Sequence, residues 1–191
     1  MKKIKLGAHP YLYPMPTVIV GSLVDGNPNF ITVSYIGIVQ HEPPVAAVTL
    51  IDSHFTNKGI EDNKTFSVNI PSTSQFKEVD YCGMVSIKKR DKAKLFTTFY
   101  GVTETAPMIE ECPINMEFQL DQILDMPQHN VVIGKLVETY CDEGYIRDEE
   151  IDYAKVDPLL YVSGYWKLGP RFSDAFKPGK ELKEREDQGP K

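Results

Sequence analysis

Along the chain, short runs of apolar and β-branched residues recur between turn signals, and few stretches carry the i, i+3, i+4 spacing of an amphipathic helix. Runs at residues 17–23, 30–36, 45–51, 65–70, 115–123, 130–140 and 160–166 are rich in Val, Ile, Thr, Tyr and Phe. Such side chains suit a pleated, half-buried surface, so each run predicts a strand. Between the first two lies VDGNPN, where Asp25-Gly26 supplies the positive φ of a hairpin turn. Helical spacing is confined to 56–62 and 74–82, and in the second Phe76, Val79 and Cys82 fall on one face; a third short helix is expected over 91–96. Seven strands with few helices predict a mainly β fold, a closed or nearly closed antiparallel barrel, because closure removes exposed strand edges.

Composition narrows this picture. The chain has 191 residues, 41% of them hydrophobic and 25% charged, which fits one domain with a real core. That domain is expected over 1–177. The remaining 178–191 are almost purely charged, with Leu182 the one apolar residue in the run, and read as a solvated tail or an arm draped on a partner. A net charge of -6 argues against a nucleic-acid surface, which needs pooled Lys and Arg. No run approaches the roughly 18 apolar residues of a membrane span, and the N-terminus lacks a signal-peptide core, so a cytoplasmic protein is expected. Cys82, Cys112 and Cys141 are odd in number and widely spaced, which suggests no disulfide framework, zinc site or iron–sulfur site. The four histidines show no metal-binding spacing, and neither a G-x-S-x-G elbow nor a reactive-cysteine signature is present, so no metal and no nucleophile are assigned.

Candidate chemistry concentrates in LIDSHFTNKG, where an apolar run ends in hydroxyls, amides and cations. Ser53 and Thr56 both carry side chains favoured at a helix N-cap, while Glu61 and Asp62 come too late for a capping box. The first helical amides, the positive end of the helix dipole and nearby hydroxyls together make an anion site that a phosphate would fit. Simple capping by Ser53 or Thr56 is the alternative, and on these residues alone the commoner use of such side chains.

Longer blocks add a resemblance. NFITVSYIGIVQHEPPVAAVTLIDSHFTNKGIEDNKTFSVNIP resembles the core of the flavin reductase-like, FMN-binding split-barrel family: an Asn-x-x-T-x-S strand, a Pro-Pro turn, a strand ending in S-x-x-T, a helix, then F-x-V-N-x-P. CGMVSIKKRDKAKLF looks like the family's C-G-x-x-S-G-x-x-x-D-K segment, with Ile87 where Gly is usual. APMIEECPINMEFQL and QHNVVIGKLVE look like two further blocks, and YWKLGPRFSDAFKPGK resembles the flavoredoxin-like branch most. Four blocks in order make the resemblance specific where each alone would be weak.

The resemblance implies bound FMN, with Asp52, Ser53, His54, Thr56 and Asn57 among the cofactor-binding residues, the phosphate beside Ser53 and Thr56, and Lys92 as its cation. A solvated charge within the run 88–94 is the bland alternative for Lys92. Thr32, Val33, Ser34 and Tyr35 would run beside the isoalloxazine, with Thr32 and Ser34 on one strand face and Val33 and Tyr35 on the other. Plain barrel wall is the alternative. His54 reads as a phosphate contact or a solvent-facing loop residue, and His129 as a nicotinamide contact or a hydrogen-bonded strand-start residue. Trp166 reads as buried in the core or an interface, or as a flavin contact. An FMN-binding redox protein follows, an NAD(P)H-dependent flavin reductase using NADH or NADPH; the alternative is a non-enzymatic flavoredoxin-type carrier between protein partners. The resemblance also implies a homodimer.

Overall fold

The computed structural model describes residues 1–180 together with Leu182 and Lys183. Most of the charged tail expected over 178–191 therefore lies outside the described residues. Seven strands form one antiparallel sheet: β1 (Val18–Val24), β2 (Asn27–Val33), β3 (Ile36–His41), β4 (Pro44–Ile51), β5 (Thr65–Ile70), β6 (Ile114–Asp125) and β7 (His129–Cys141), in the order β2-β1-β5-β6-β7-β4-β3. The two edge strands, β2 and β3, follow one another in sequence and are joined only by Ser34-Tyr35, so the sheet rolls up without a continuous ladder across its seam.

Its interior is filled by alternate side chains. From β1, Val18 and Val20 point into a core shared with Ile31, Val48, Phe66, Phe118 and Val132, while Ile19 points the other way into a second core with Phe30, Val79, Ile109 and Leu159. Both faces of β1 are covered, which is why VIVGSLV reads as an unbroken apolar run and not as an alternation. Phe66 and Phe118 stack with ring centroids 5.0 Å apart, and a β-bulge places Gly134 against Phe66, where a Cβ would come within 2.6 Å of the ring.

Helix α1 (Phe55–Asn63) lies on the outer end of β1 and α2 (Phe76–Met84) lies over the second core. A Cβ on Gly59 would sit 2.5 Å from the Leu23 carbonyl oxygen, so this glycine sets how closely α1 approaches β1. Late in the chain, a four-residue helix α3 (Tyr153–Val156) precedes the hairpin β8 (Leu159–Tyr161) and β9 (Tyr165–Lys167). No helix among the described residues is long and apolar enough to cross a membrane.

Several expectations are corrected. The strand expected over 30–36 stops at Val33, and the apolar positions from Ile36 onward belong to a separate strand, β3. Ile38 and Val39 on that edge are exposed, which broke the pattern that would have revealed it. The run 160–166 is the β8–β9 hairpin, not one strand. Over 91–96 only a single 3₁₀ turn, Ala93–Leu95, forms. Val79 and Cys82 bury as α2 predicts, but Phe76 opens the helix at 45% exposure.

Candidate functional site

The chain leaves β4 through a tight turn before α1. Asn57 holds that turn from inside the helix, donating from Nδ2 to the carbonyls of Ile51 (2.9 Å) and Asp52 (3.2 Å). The N-cap is His54, with extended φ and ψ of -76° and 129° and no side-chain cap. Neither Ser53 nor Thr56 caps the helix, which corrects the capping alternative. Ser53 lies in the exposed turn. Thr56 is one residue into the helix, 1% exposed, and its Oγ1 accepts a hydrogen bond of 2.9 Å from Asn29 Nδ2 on β2. The first turn also holds no acidic residue, so its amides and dipole meet no negative side chain of their own.

Facing that turn is a pocket of about 160 Å³ lined by Asn29, Ser53, His54, Thr56, Ser86 and Lys92 among others. Lys92 decides its character. The side chain is only 4% exposed, yet its Nζ makes one hydrogen bond, 3.3 Å to the Cys82 carbonyl, and no carboxylate among the described residues pairs with it. The solvated-charge reading of Lys92 is thereby corrected. Burial lowers its pKa from the ordinary range, and nearby Cys82 opposes that shift. Cys82 cannot serve as the missing anion, because burial pushes its thiol up to about 11 despite Lys92. A buried ammonium with spare donors and no counter-charge is costly unless a ligand completes it.

His54 points the same way. It is half-buried, not solvent-facing, and its Nδ1 is buried without a partner. Its pKa is lowered first by burial, then by the positive charges of Lys92 and His129. Ammonium, imidazole, uncapped amides and the Thr56 hydroxyl are all donors or potential donors directed at one small space. Such a donor set fits a phosphate and would repel a cation.

The remaining predicted residues are distributed around this pocket. Asp52 is exposed and its Oδ1 lies 3.5 Å from Asn130 Nδ2. Thr32 spends its hydroxyl on the Val79 carbonyl of α2, and Val33 is buried in the barrel core. Ser34 and Tyr35 follow the end of β2, so the expected two-face alternation stops at Val33. Tyr35 is half-exposed with its ring 6.4 Å from that of His129, the first residue of β7. Because β2 is an edge strand, one row of its backbone N–H and C=O groups has no strand partner. Trp166 is 58% exposed on β9, in a separate groove with Phe76 and Tyr165, which corrects the expectation of core burial. The residue that sequence reasoning missed is Asn29; its place at the head of the Asn-x-x-T-x-S block was the available signal.

Residues 11–167 match the flavin reductase-like domain family. The chain is 38% identical to flavoredoxin from Methanosarcina acetivorans, covering 95% of this chain and 100% of that one with a TM-score of 0.92. It is 32% identical to flavoredoxin of Desulfovibrio vulgaris (Miyazaki F), covering 94% and 100% with a TM-score of 0.86. Nitrilotriacetate monooxygenase component B from Bacillus cereus, at 21% identity, shares the fold, with a TM-score of 0.81 over 91% of this chain and 98% of that one. The chain belongs to the flavin reductase-like domain family and has its split-barrel fold.

Proposed function

We propose that the chain is an FMN-binding redox protein of the flavoredoxin type, passing electrons between redox partners. The observation that carries this reading is the buried, uncompensated Lys92 ammonium beside the uncapped first turn of α1, a site made for a dianionic phosphate. Similarity to two flavoredoxins above 30% identity supports the carrier over a nicotinamide-dependent flavin reductase.

In this reading Lys92, His54, Thr56 and the first amides of α1 hold the phosphate. The free backbone row of β2 and the Ser34-Tyr35 link hold the ring edge, with Tyr35 and His129 beside them. Bound FMN would supply the redox chemistry, taking up and releasing electrons in the range its protein surroundings set. The chain's own work is to bind, orient and exclude water, and no protein acid or base is needed. A homodimer belongs to the same reading, since Tyr35, Ile38 and Val39 leave apolar surface on and beside edge strand β3. Three free thiols accord with work in the cytoplasm.

The test is direct. Purified protein should be yellow or take up FMN stoichiometrically, sediment as a dimer, and stay oxidised when mixed anaerobically with NADH or NADPH. Bleaching within seconds by either nucleotide would instead make it a reductase, and failure to bind FMN would end the reading altogether.

A further inference from the structure

Strand β9 is the outer strand of a small three-stranded sheet formed with β8 and the two residues Met15–Pro16, so one row of its backbone N–H and C=O groups has no strand partner. It carries Trp166, the one tryptophan of the sequence, at 58% exposure. Trp166 and Tyr165 line a groove of about 660 Å³ together with Phe76, which is 45% exposed at the start of α2, over a floor of buried Val156 and Leu159. Within Tyr165–Lys167 neither proline nor bulge blunts the edge, and its one charge, Lys167, is held by Asp157 at 3.2 Å. An open strand edge beside exposed aromatic rings is a surface to which an extended segment can add as a further strand.

The charges around the groove select the segment. Asp157, the one carboxylate in its lining, is taken up by Lys167 and by the Thr73 hydroxyl, and Asp80 on α2 accepts from the Tyr165 hydroxyl at 2.9 Å. Lys155 meets the Gly144 carbonyl and the Tyr145 ring, and Lys77 lies over the Phe76 ring; neither has a carboxylate in ion-pair range among the described residues. The unmet charges here are thus both positive, on a chain whose net charge is -6. Asp148, Glu150 and Asp152 line a different groove, which an acidic segment would avoid. We propose that the β9 groove docks an acidic, extended segment of a protein partner, which pairs with β9 through its backbone, lays an apolar side chain on Trp166 and Phe76, and turns carboxylates to Lys77 and Lys155. Phe76 lies one helical turn before Val79, whose carbonyl accepts from Thr32 on β2, so the docked segment sits close to the strand that leads to the proposed ring edge. That this partner is the one exchanging electrons rests on the carrier reading; the fit of the groove does not.

The experiment follows the emission of Trp166 in the FMN-loaded full chain, titrated with capped synthetic peptides free of tryptophan. One alternates Glu with Leu and Val, one carries Lys in place of Glu, and one is the acidic peptide N-methylated throughout. The acidic peptide should shift the emission to the blue saturably and bind about tenfold more tightly than the basic one, and N-methylation should cost about tenfold by removing the strand-pairing donors. Lys155→Glu and Phe76→Gln should each weaken the acidic peptide about tenfold, with FMN affinity unchanged. Lys155 is exposed, so its variant decides the matter should Phe76→Gln not fold. Equal binding of the acidic and basic peptides, equal binding of the N-methylated one, or no saturable shift would overturn the proposal. So would a dimer that Phe76→Gln turns into monomer, because the groove would then be a subunit interface. If no peptide binds while the protein holds FMN and stays oxidised with NADH and NADPH, the docking inference falls and the carrier reading stands. If the peptides bind as expected but either nucleotide bleaches the flavin, the carrier reading falls and the docking site stands.

Discussion

Two buried charges in this small barrel are treated in opposite ways. Glu117 on β6 is fully buried and fully answered: its carboxylate accepts from the Val102 amide (2.7 Å), the Thr103 amide (2.8 Å), the Thr103 hydroxyl (2.7 Å) and the Tyr140 hydroxyl (2.7 Å). Burial works to raise its pKa, but the bonds from Tyr140, Thr103 and Val102 together outweigh it and hold the carboxyl below its ordinary range. Lys92 is almost as buried and has one long bond to a carbonyl. The complete network ties the loop at Gly101–Thr103 to the sheet and has no capacity left for anything else. The incomplete one is costly as it stands and favours whatever ligand completes it. Burial is common to both charges; unmet hydrogen-bonding capacity is what sets Lys92 apart from Glu117.

Mutations should break this pair in opposite directions. Glu117→Ala removes the charged acceptor of four part-buried hydrogen bonds and should cost about 3–5 kcal/mol of stability by urea denaturation, while the preference of the folded fraction for FMN over riboflavin, which lacks the phosphate, stays put. Lys92→Met should do the reverse: FMN binding falls about 100-fold, and the apoprotein is as stable as the parent or more so, because an uncompensated charge has left the interior. A loss of stability in Lys92→Met with no change in flavin preference would erase the distinction.

A smaller effect is expected at Gly59. An added methyl would press on the backbone of Leu23, so Gly59→Ala should cost about 1–3 kcal/mol and move the first turn of α1 away from the pocket. FMN and riboflavin affinities measured in that variant should show the FMN loss as the larger. Equal affinities to the parent for both ligands would mean that the approach of α1 to β1 does not place the site.

The smallest effect is in pH. The folded-state pKa of His54 lies below its ordinary 6.5, so the unfolded chain binds the extra proton first as pH falls. Apoprotein stability should accordingly decline on acidification from about 6.5 down through the lowered pKa. FMN bound as proposed would place negative charge beside the imidazole and should shrink that decline, and His54→Gln should remove the difference between apoprotein and FMN-loaded protein. Urea midpoints at pH 7.5 and 5.5, with and without FMN, measure all three. A decline that persists undiminished in the FMN-loaded protein would place the phosphate away from His54.

Much of this molecule can be read directly along the chain. The strands at 45–51, 65–70, 115–123 and 130–140 declare themselves because β-branched and aromatic residues cluster where a pleated surface is buried. The Ser53-to-Asn57 segment stands out because hydroxyls and amides at the end of a buried strand need a reason. Local chemistry of that kind depends only on near neighbours in sequence. What the chain could not show by itself was which charge is buried and which side chain meets which. Lys92 sits among other cations in KKRDKAK and looks solvated there; only the packing of the α2 end and the following loop against β2 and α1 removes it from water. The Asn29–Thr56 bond and the Tyr140–Glu117 bond are likewise settled by contacts between segments distant in the chain. Each depends on the free energy of a pair brought together by folding, and no single stretch of sequence holds both members of such a pair.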